Sequence, residues 1–192
     1  MALPRGREQS LIELLGWLVF LRAMEEEFSA ALEEMESLIG SVKSAMLASV
    51  GSKGDPLASY APAYVDEKRR FYVYISSMAK HTSQIRRSGK ASVMLIEDES
   101  VTENLFARKR LTVDCDAEVL DRDSEAWLEA IAAMEMRLGE TMSYLKDLVD
   151  FDLFRLEPSE GRLVLGFGKA YRVFGAILNE IGYVGGGGHR SK

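Results

Sequence analysis

Cysteine is nearly absent: Cys115 is the single one among 192 residues. An internal disulfide is excluded, and a reducing cytoplasm is the compartment that fits. Histidine is scarce, with only His81 and His189. There is no CxxC and no Cys/His cluster, which removes a structural zinc site. Positive charge is in deficit, with 24 Lys and Arg against 30 Asp and Glu and a net charge of −6. Such a chain lacks the basic surface that general nucleic-acid binding requires. The apolar run Leu11 to Leu21 (LIELLGWLVFL) is about half the ~20 residues a spanning helix needs, so no membrane partner is expected. No internal repeat, GxGxxG, P-loop or nucleophile elbow occurs.

What is present suffices for one folded domain with a sizeable core, since 47% of the residues are hydrophobic and 28% charged. Arg5 and Arg7 precede the apolar run as in a signal peptide, but Leu21-Arg22-Ala23 is a poor cleavage site. The alternative is that Met24 is the biological start. We divide the chain into an extension (1–23), a domain with an N-terminal helix (24–175) and a tail (176–192).

Periodicity predicts the elements in order. Phe28, Ala31, Leu32, Met35, Leu38 and Ile39 make one buried helical face over Glu25 to Ile39, with Gly40 as the stop. Six glutamates cover the rest of that helix and read as solvated. Strands follow at 45–50, 57–65 and 70–76, joined by polar turns. Pro62 marks an edge or a bulge. A short helix spans Lys80 to Arg87, where Ser76, Ser77, Lys80, Arg86 and Arg87 gather hydroxyls and positive charge near a helix N-terminus. That set suits an anionic group, or ordinary capping. His81 reads as a surface residue.

A strand at 91–97, a helical turn through Leu105 and Phe106, and a strand at 111–119 come next. Cys115 points inward there as a small apolar residue. Asp123 can cap a helix to Leu138, and a further helical piece runs from Tyr144 to Val149. A strand from Phe151 to Leu156, a turn at Pro158 to Gly161 and a long strand from Arg162 to Val173 complete the series. In that last strand Gly166, Gly168 and Ala170 share a face and leave a flat strip for a ligand, or mark a barrel corner. Ile177 to Tyr183 reads as weakly helical. Gly185 to Gly188 then lead to His189, as a loose end or as a tether for a metal or haem ligand. The order suits a mainly β fold with flanking helices, built on a six- or seven-stranded antiparallel barrel.

Several runs together carry a resemblance: SYAP (59–62), MLIEDES (94–100), LFARKRLT (105–112), DRDSEAW (121–127), DFDLFRLEPSEG (150–161), GFGKAYRV (166–173) and the terminal GHR. Over roughly residues 37–190 the chain resembles the haem-utilisation proteins of the HugZ/HutZ type. These lie within the pyridoxamine 5′-phosphate oxidase-like split-barrel superfamily. The resemblance implies an FMN-binding-like split barrel and a homodimer with ligand sites at the subunit interface. It implies His189 as the axial ligand of haem iron, Asp150 as the carboxylate that accepts a hydrogen bond from that imidazole, and Arg110 as an arginine near the iron. Dioxygen and an electron donor would be the co-substrates.

The chemistry is consistent with those roles. A neutral imidazole ligates ferrous haem. A carboxylate on its second nitrogen fixes the tautomer and raises its basicity. Guanidinium stays charged and can meet a propionate. The Gly166/Gly168 strip would leave room for a flat macrocycle. Three functions follow: a haem-degrading monooxygenase that releases iron, a haem store or shuttle, and an FMN-dependent oxidoreductase. The last would take the flavin phosphate at Ser76, Ser77 and Lys80, and would not use His189.

Overall fold

The computed structural model describes residues 6–184, with side chains from residue 13. A long helix α1 (Gly6–Ser41) precedes strands β1 (Ser44–Val50), β2 (Pro56–Val65) and β3 (Phe71–Ser76). Helix α2 (Lys80–Ser88) follows, then β4 (Lys90–Ile96), two short 3-10 turns and β5 (Arg110–Val119). Helices α3 (Glu125–Leu138) and α4 (Glu140–Leu145) lead to β6 (Phe151–Gly166), β7 (Lys169–Phe174) and β8 (Glu180–Tyr183).

All strand pairings are antiparallel, in the order β3-β2-β1-β4-β5-β6-β7-β8, and β3 also pairs with β6. That extra pairing closes β3, β2, β1, β4, β5 and β6 into a six-stranded barrel, as the sequence implied. Strands β7 and β8 extend the sheet beyond β6.

Alternation builds the core. In β3, Phe71, Val73 and Ile75 face the barrel interior, while Tyr72 and Tyr74 face α3 and α4 with Trp127, Ile131 and Met134. β3 is therefore buried on both faces. α1 lays Ala31, Met35, Leu38 and Ile39 against the barrel core, with Phe28 and Leu32 beside them. This is the face its 3.6-residue period predicts. Cys115 is buried, and burial among Asp114, Asp116 and Glu157 pushes its thiol up to about 12, so it is inert at neutral pH.

Four local readings are corrected. Pro158 to Gly161 is not a turn: β6 runs through it without a break. Pro158 sits opposite Cys115, where the β5–β6 register shifts, and that irregularity absorbs its missing N–H. Gly161 is there because β7 comes close, since a Cβ would lie 2.7 Å from Val173 Cγ2. The chain reverses instead at Gly166-Phe167-Gly168-Lys169, with Gly166 paired to Lys169 and Gly168 at φ +73. The third concerns Ile177 to Tyr183, which ends as β8 rather than as a helix. Ser124, not Asp123, caps α3 by accepting a hydrogen bond from Trp127 N, and Asp123 takes a positive φ of 65.

α1 starts at Gly6, well upstream of the helix the periodicity predicts. Its residues Leu14, Leu15, Trp17, Leu18, Val19, Phe20 and Leu21 are exposed, Trp17 by 66%. They bury little against the barrel and contribute little to its stability. A chain beginning at Met24 should therefore keep its melting temperature to within about 2 °C, as for a change of about 0.5 kcal/mol. A larger drop in a calorimetric scan would mean that residues 6–23 are covered.

Candidate functional site

β6 sorts the candidate residues into two groups, one at each end. At its start, Phe151 pairs with Ser76, and Ser77 N donates to Asp150 O at 2.7 Å. Asp150, Ser76 and the first turn of α2, which begins at Lys80, are therefore neighbours. Ser76 Oγ accepts from Met78 N, while Ala79 occupies the cap position of α2 and makes no side-chain cap. Arg86 and Arg87, one turn further on, do not join this group. Arg86 pairs with Asp152, and Arg87 donates to Val50 O at 2.6 Å. His81 is half-buried rather than on the surface. Its Nε2 is buried without a partner among the described residues, and desolvation holds its pKa below the usual imidazole value.

Sequence reasoning missed what holds Asp150. Arg122 donates to Lys146 O at 2.8 Å, Leu148 O at 2.6 Å and Phe151 O at 3.3 Å, and its guanidinium lies 5.1 Å from the Trp127 ring centroid. It also donates to Tyr74 Oη at 2.8 Å. Burial raises the Tyr74 phenol despite that contact. The 146–151 segment is thus fastened on both sides of Asp150. Nothing local in the sequence signals this, because β3, the turn before α3 and the segment after α4 meet only in the fold.

The other end of β6 holds Arg110, Gly166 and Gly168. Arg110 opens β5, pairs with Val164 and donates to Arg108 O at 2.9 Å. Arg108 is itself engaged with Glu97 O and Glu99. Lys109 reaches Glu34 on α1 at 2.6 Å, and that hydrogen bond raises its pKa. A cleft of about 420 Å³ lies here, with Leu165, Gly166 and Phe167 on one wall and Val101, Asn104 and Ala107 opposite. A second, of about 320 Å³, adjoins it across Lys109 and Leu165 and is walled by Glu27, Glu34 and Tyr171. Lys109, paired with Glu34, lies between the two clefts, and Glu27, Glu97 and Glu103 place negative charge on their walls beside the apolar side chains.

The small-residue strip is corrected. Gly166 and Gly168 flank a hairpin tip and do not line one face of a strand, because the reversal restarts the two-residue alternation. Gly166 still lines the cleft, as a turn residue, whereas Gly168 does not, and Phe167 between them is 67% exposed.

Asp150 and Arg110 do not meet within one chain. Val164, the partner of Arg110, lies 14 residues beyond Asp150 (150 to 164), about 46 Å of strand contour. His189 lies outside the described residues, but its point of departure does not. Val184 N donates to Ala170 O at 3.2 Å, beside the Gly166–Lys169 hairpin. His189 is five residue steps beyond Val184, a reach of about 18 Å at most. The tail therefore starts at the Arg110 end.

A profile described as pyridoxamine 5′-phosphate oxidase matches residues 31–165. The chain is 42% identical over 158 residues to a Vibrio cholerae protein named heme oxygenase HutZ, covering 82% of this chain and 89% of that protein. A crystal structure of Vibrio cholerae HutZ, described there as a heme storage protein, superposes with a TM-score of 0.65 at 40% identity, over 70% of this chain and 94% of that one. Campylobacter jejuni ChuZ superposes with a TM-score of 0.76 at 29% identity, over 85% of this chain and 66% of that one.

Proposed function

Because the chain belongs to the pyridoxamine 5′-phosphate oxidase family, and within it to the HutZ-type haem-utilisation proteins, we propose that it binds haem and opens the ring oxidatively to release iron. The observation that carries this reading is the 42% identity, over most of both chains, with a protein named a heme oxygenase. The clefts beside Arg110 support this reading with the apolar side chains of Leu165 and Phe167, and Lys109 between them would exchange its Glu34 partner for a propionate.

Haem, when bound, supplies both the redox-active iron and the ring that is opened, with dioxygen and an electron donor as co-substrates. In this reading His189 supplies the imidazole that holds the iron. Asp150 accepts the proton-bearing second nitrogen of that ring, which fixes its tautomer and raises its basicity. Arg110 keeps its charge throughout and neutralises a propionate or a developing negative charge near the iron.

In this reading the reach of the tail favours a homodimer. About 18 Å of chain beyond Val184 is short against the roughly 46 Å of strand contour that separates the two ends of β6. The His189 of one copy would then meet the Asp150 of the other, with the haem on the far side of the imidazole from that carboxylate.

Replacing Asp150 with Asn keeps the shape and removes the charge. Haem should still bind, while the rate of ring opening with ascorbate under air changes by about 10-fold or more. If both binding and turnover stay at wild-type values, Asp150 has no such role. The same assay separates an enzyme from a store: a Soret band that persists with no verdin-like product excludes degradation under those conditions.

A second reading has an observation of its own. The α2 N-terminus lacks a side-chain cap and stands beside Ser76 and Lys80, an arrangement suited to the phosphate of FMN. A purified protein that is yellow and fluorescent, and indifferent to His189→Ala, would favour an FMN-dependent oxidoreductase.

A further inference from the structure

Glu27 stands half-buried on α1 between two exposed neighbours, Glu26 and, across half-buried Phe28, Ser29. Its two carboxylate oxygens take one hydrogen bond each, from Tyr171 Oη at 2.7 Å and from Tyr183 Oη at 2.6 Å. The tyrosines are cross-strand partners on β7 and β8, with ring centroids 5.8 Å apart. Phe28, next to Glu27, meets both rings, at 6.3 Å from Tyr171 and 5.1 Å from Tyr183. The bonds lower the Glu27 pKa, that from Tyr183 most, and the carboxylate is ionised at neutral pH.

β8 spans Glu180–Tyr183 and pairs with β7 alone among the described residues, so it is the short edge strand of the sheet. Leu178 and Ile181 anchor its start in the core, while Tyr183 at its far end is exposed and is held from the side by Glu27. Tyr183 is also the last strand residue before the tail. We propose that Glu27, with Tyr171 and Tyr183, is a positioning clamp that pins the end of β8 to α1 and so sets the point from which the tail carries His189 to its ligand. The proposal rests on the reading of His189 as the haem ligand.

Chain length sets the expected size of the effect. From Tyr183 to His189 the tether is six residues; if β8 detaches, it lengthens to about 14, counted from the Gly175 turn. Effective concentration falls with roughly the −3/2 power of tether length, so complete release weakens haem binding about fourfold.

The test is a double-mutant cycle read by haemin quenching of tryptophan fluorescence on the full chain, which reports binding whether or not a Soret band forms. Its members are wild type, Tyr183→Phe, His189→Ala and the double variant. The expected result is a rise of about twofold in Kd for Tyr183→Phe with His189 present, below the fourfold of complete release, and no change when His189 is Ala. Glu27→Gln, which leaves one acceptor oxygen, serves as a second variant and should fall between wild type and Tyr183→Phe. Equal effects in both backgrounds would make the clamp a purely structural latch and overturn the proposal, as would no effect in either. If His189→Ala alone leaves the titration unchanged, the ligand reading itself fails and takes the proposal with it.

Discussion

His189→Ala should abolish the Soret band of haemin-titrated protein, with at least a 100-fold loss of affinity, or about 2.7 kcal/mol. Of the two histidines, His189 is the one whose tether departs beside the clefts, from Val184. The other, His81, is on α2 with Nε2 buried and without a partner among the described residues, so it is not presented to a ligand. The clefts themselves lie beside Lys109 and Leu165. The melting temperature of the variant should match wild type, because the last backbone hydrogen bond of the described fold is made by Val184. Truncation after Val184 should reproduce the loss of the band. A Soret band of undiminished intensity in either variant would end the axial-ligand reading and leave the FMN reading as the stronger one.

Phe154→Ala is the stability counterpart and should cost about 3–5 kcal/mol. Phe154 is fully buried in the barrel core, and it pairs with Val73 on β3 and with Val119 on β5. It is thus one of the few residues shared by both ladders where the barrel closes. Its ring also lies 5.8 Å from the guanidinium carbon of Arg86, whose partner Asp152 follows Phe151 on the same strand. Truncation leaves a cavity at the seam that holds β6 to β3, and the neighbours on two strands cannot both collapse into it. Chemical denaturation read by tryptophan fluorescence checks this. A cost under about 1 kcal/mol would mean that the seam relaxes and that closure does not depend on this side chain.

Docking of α1 shows how a reading can be right about pattern and incomplete about role. The buried stripe from Phe28 to Ile39 is where the period put it. The glutamates opposite look like a solvated face, yet three of the six hold the helix to the barrel. Glu27 takes two tyrosines, Glu34 takes Lys109 and Glu36 takes Arg69. Charge pattern along a helix reports which face is polar, not which polar groups find partners 75 or 156 positions away.

Glycine and proline misled in a definable way. Pro158-Ser159-Glu160-Gly161 has the composition of a turn, but a bulge needs the same residues: one without an N–H, one without a Cβ. Gly166 and Gly168 have the spacing of a strand face, but the same spacing fits a two-residue hairpin, and Gly168 takes the positive φ that such a reversal requires. Local sequence is degenerate between these outcomes, and the neighbouring strand chooses.

By itself the sequence determined the identity of most strands, the inward Cys115 and the buried face of α1, because side-chain alternation and helical period are properties of residues a few positions apart. Only the tertiary structure decided that β3 meets β6, that Asp150 and Arg110 stand at opposite ends of one strand, that Arg122 grips the segment around Asp150, and that Glu27 clasps Tyr183. Each of these depends on pairings between distant parts of the chain, whose geometry is set by closing the barrel and not by any local preference.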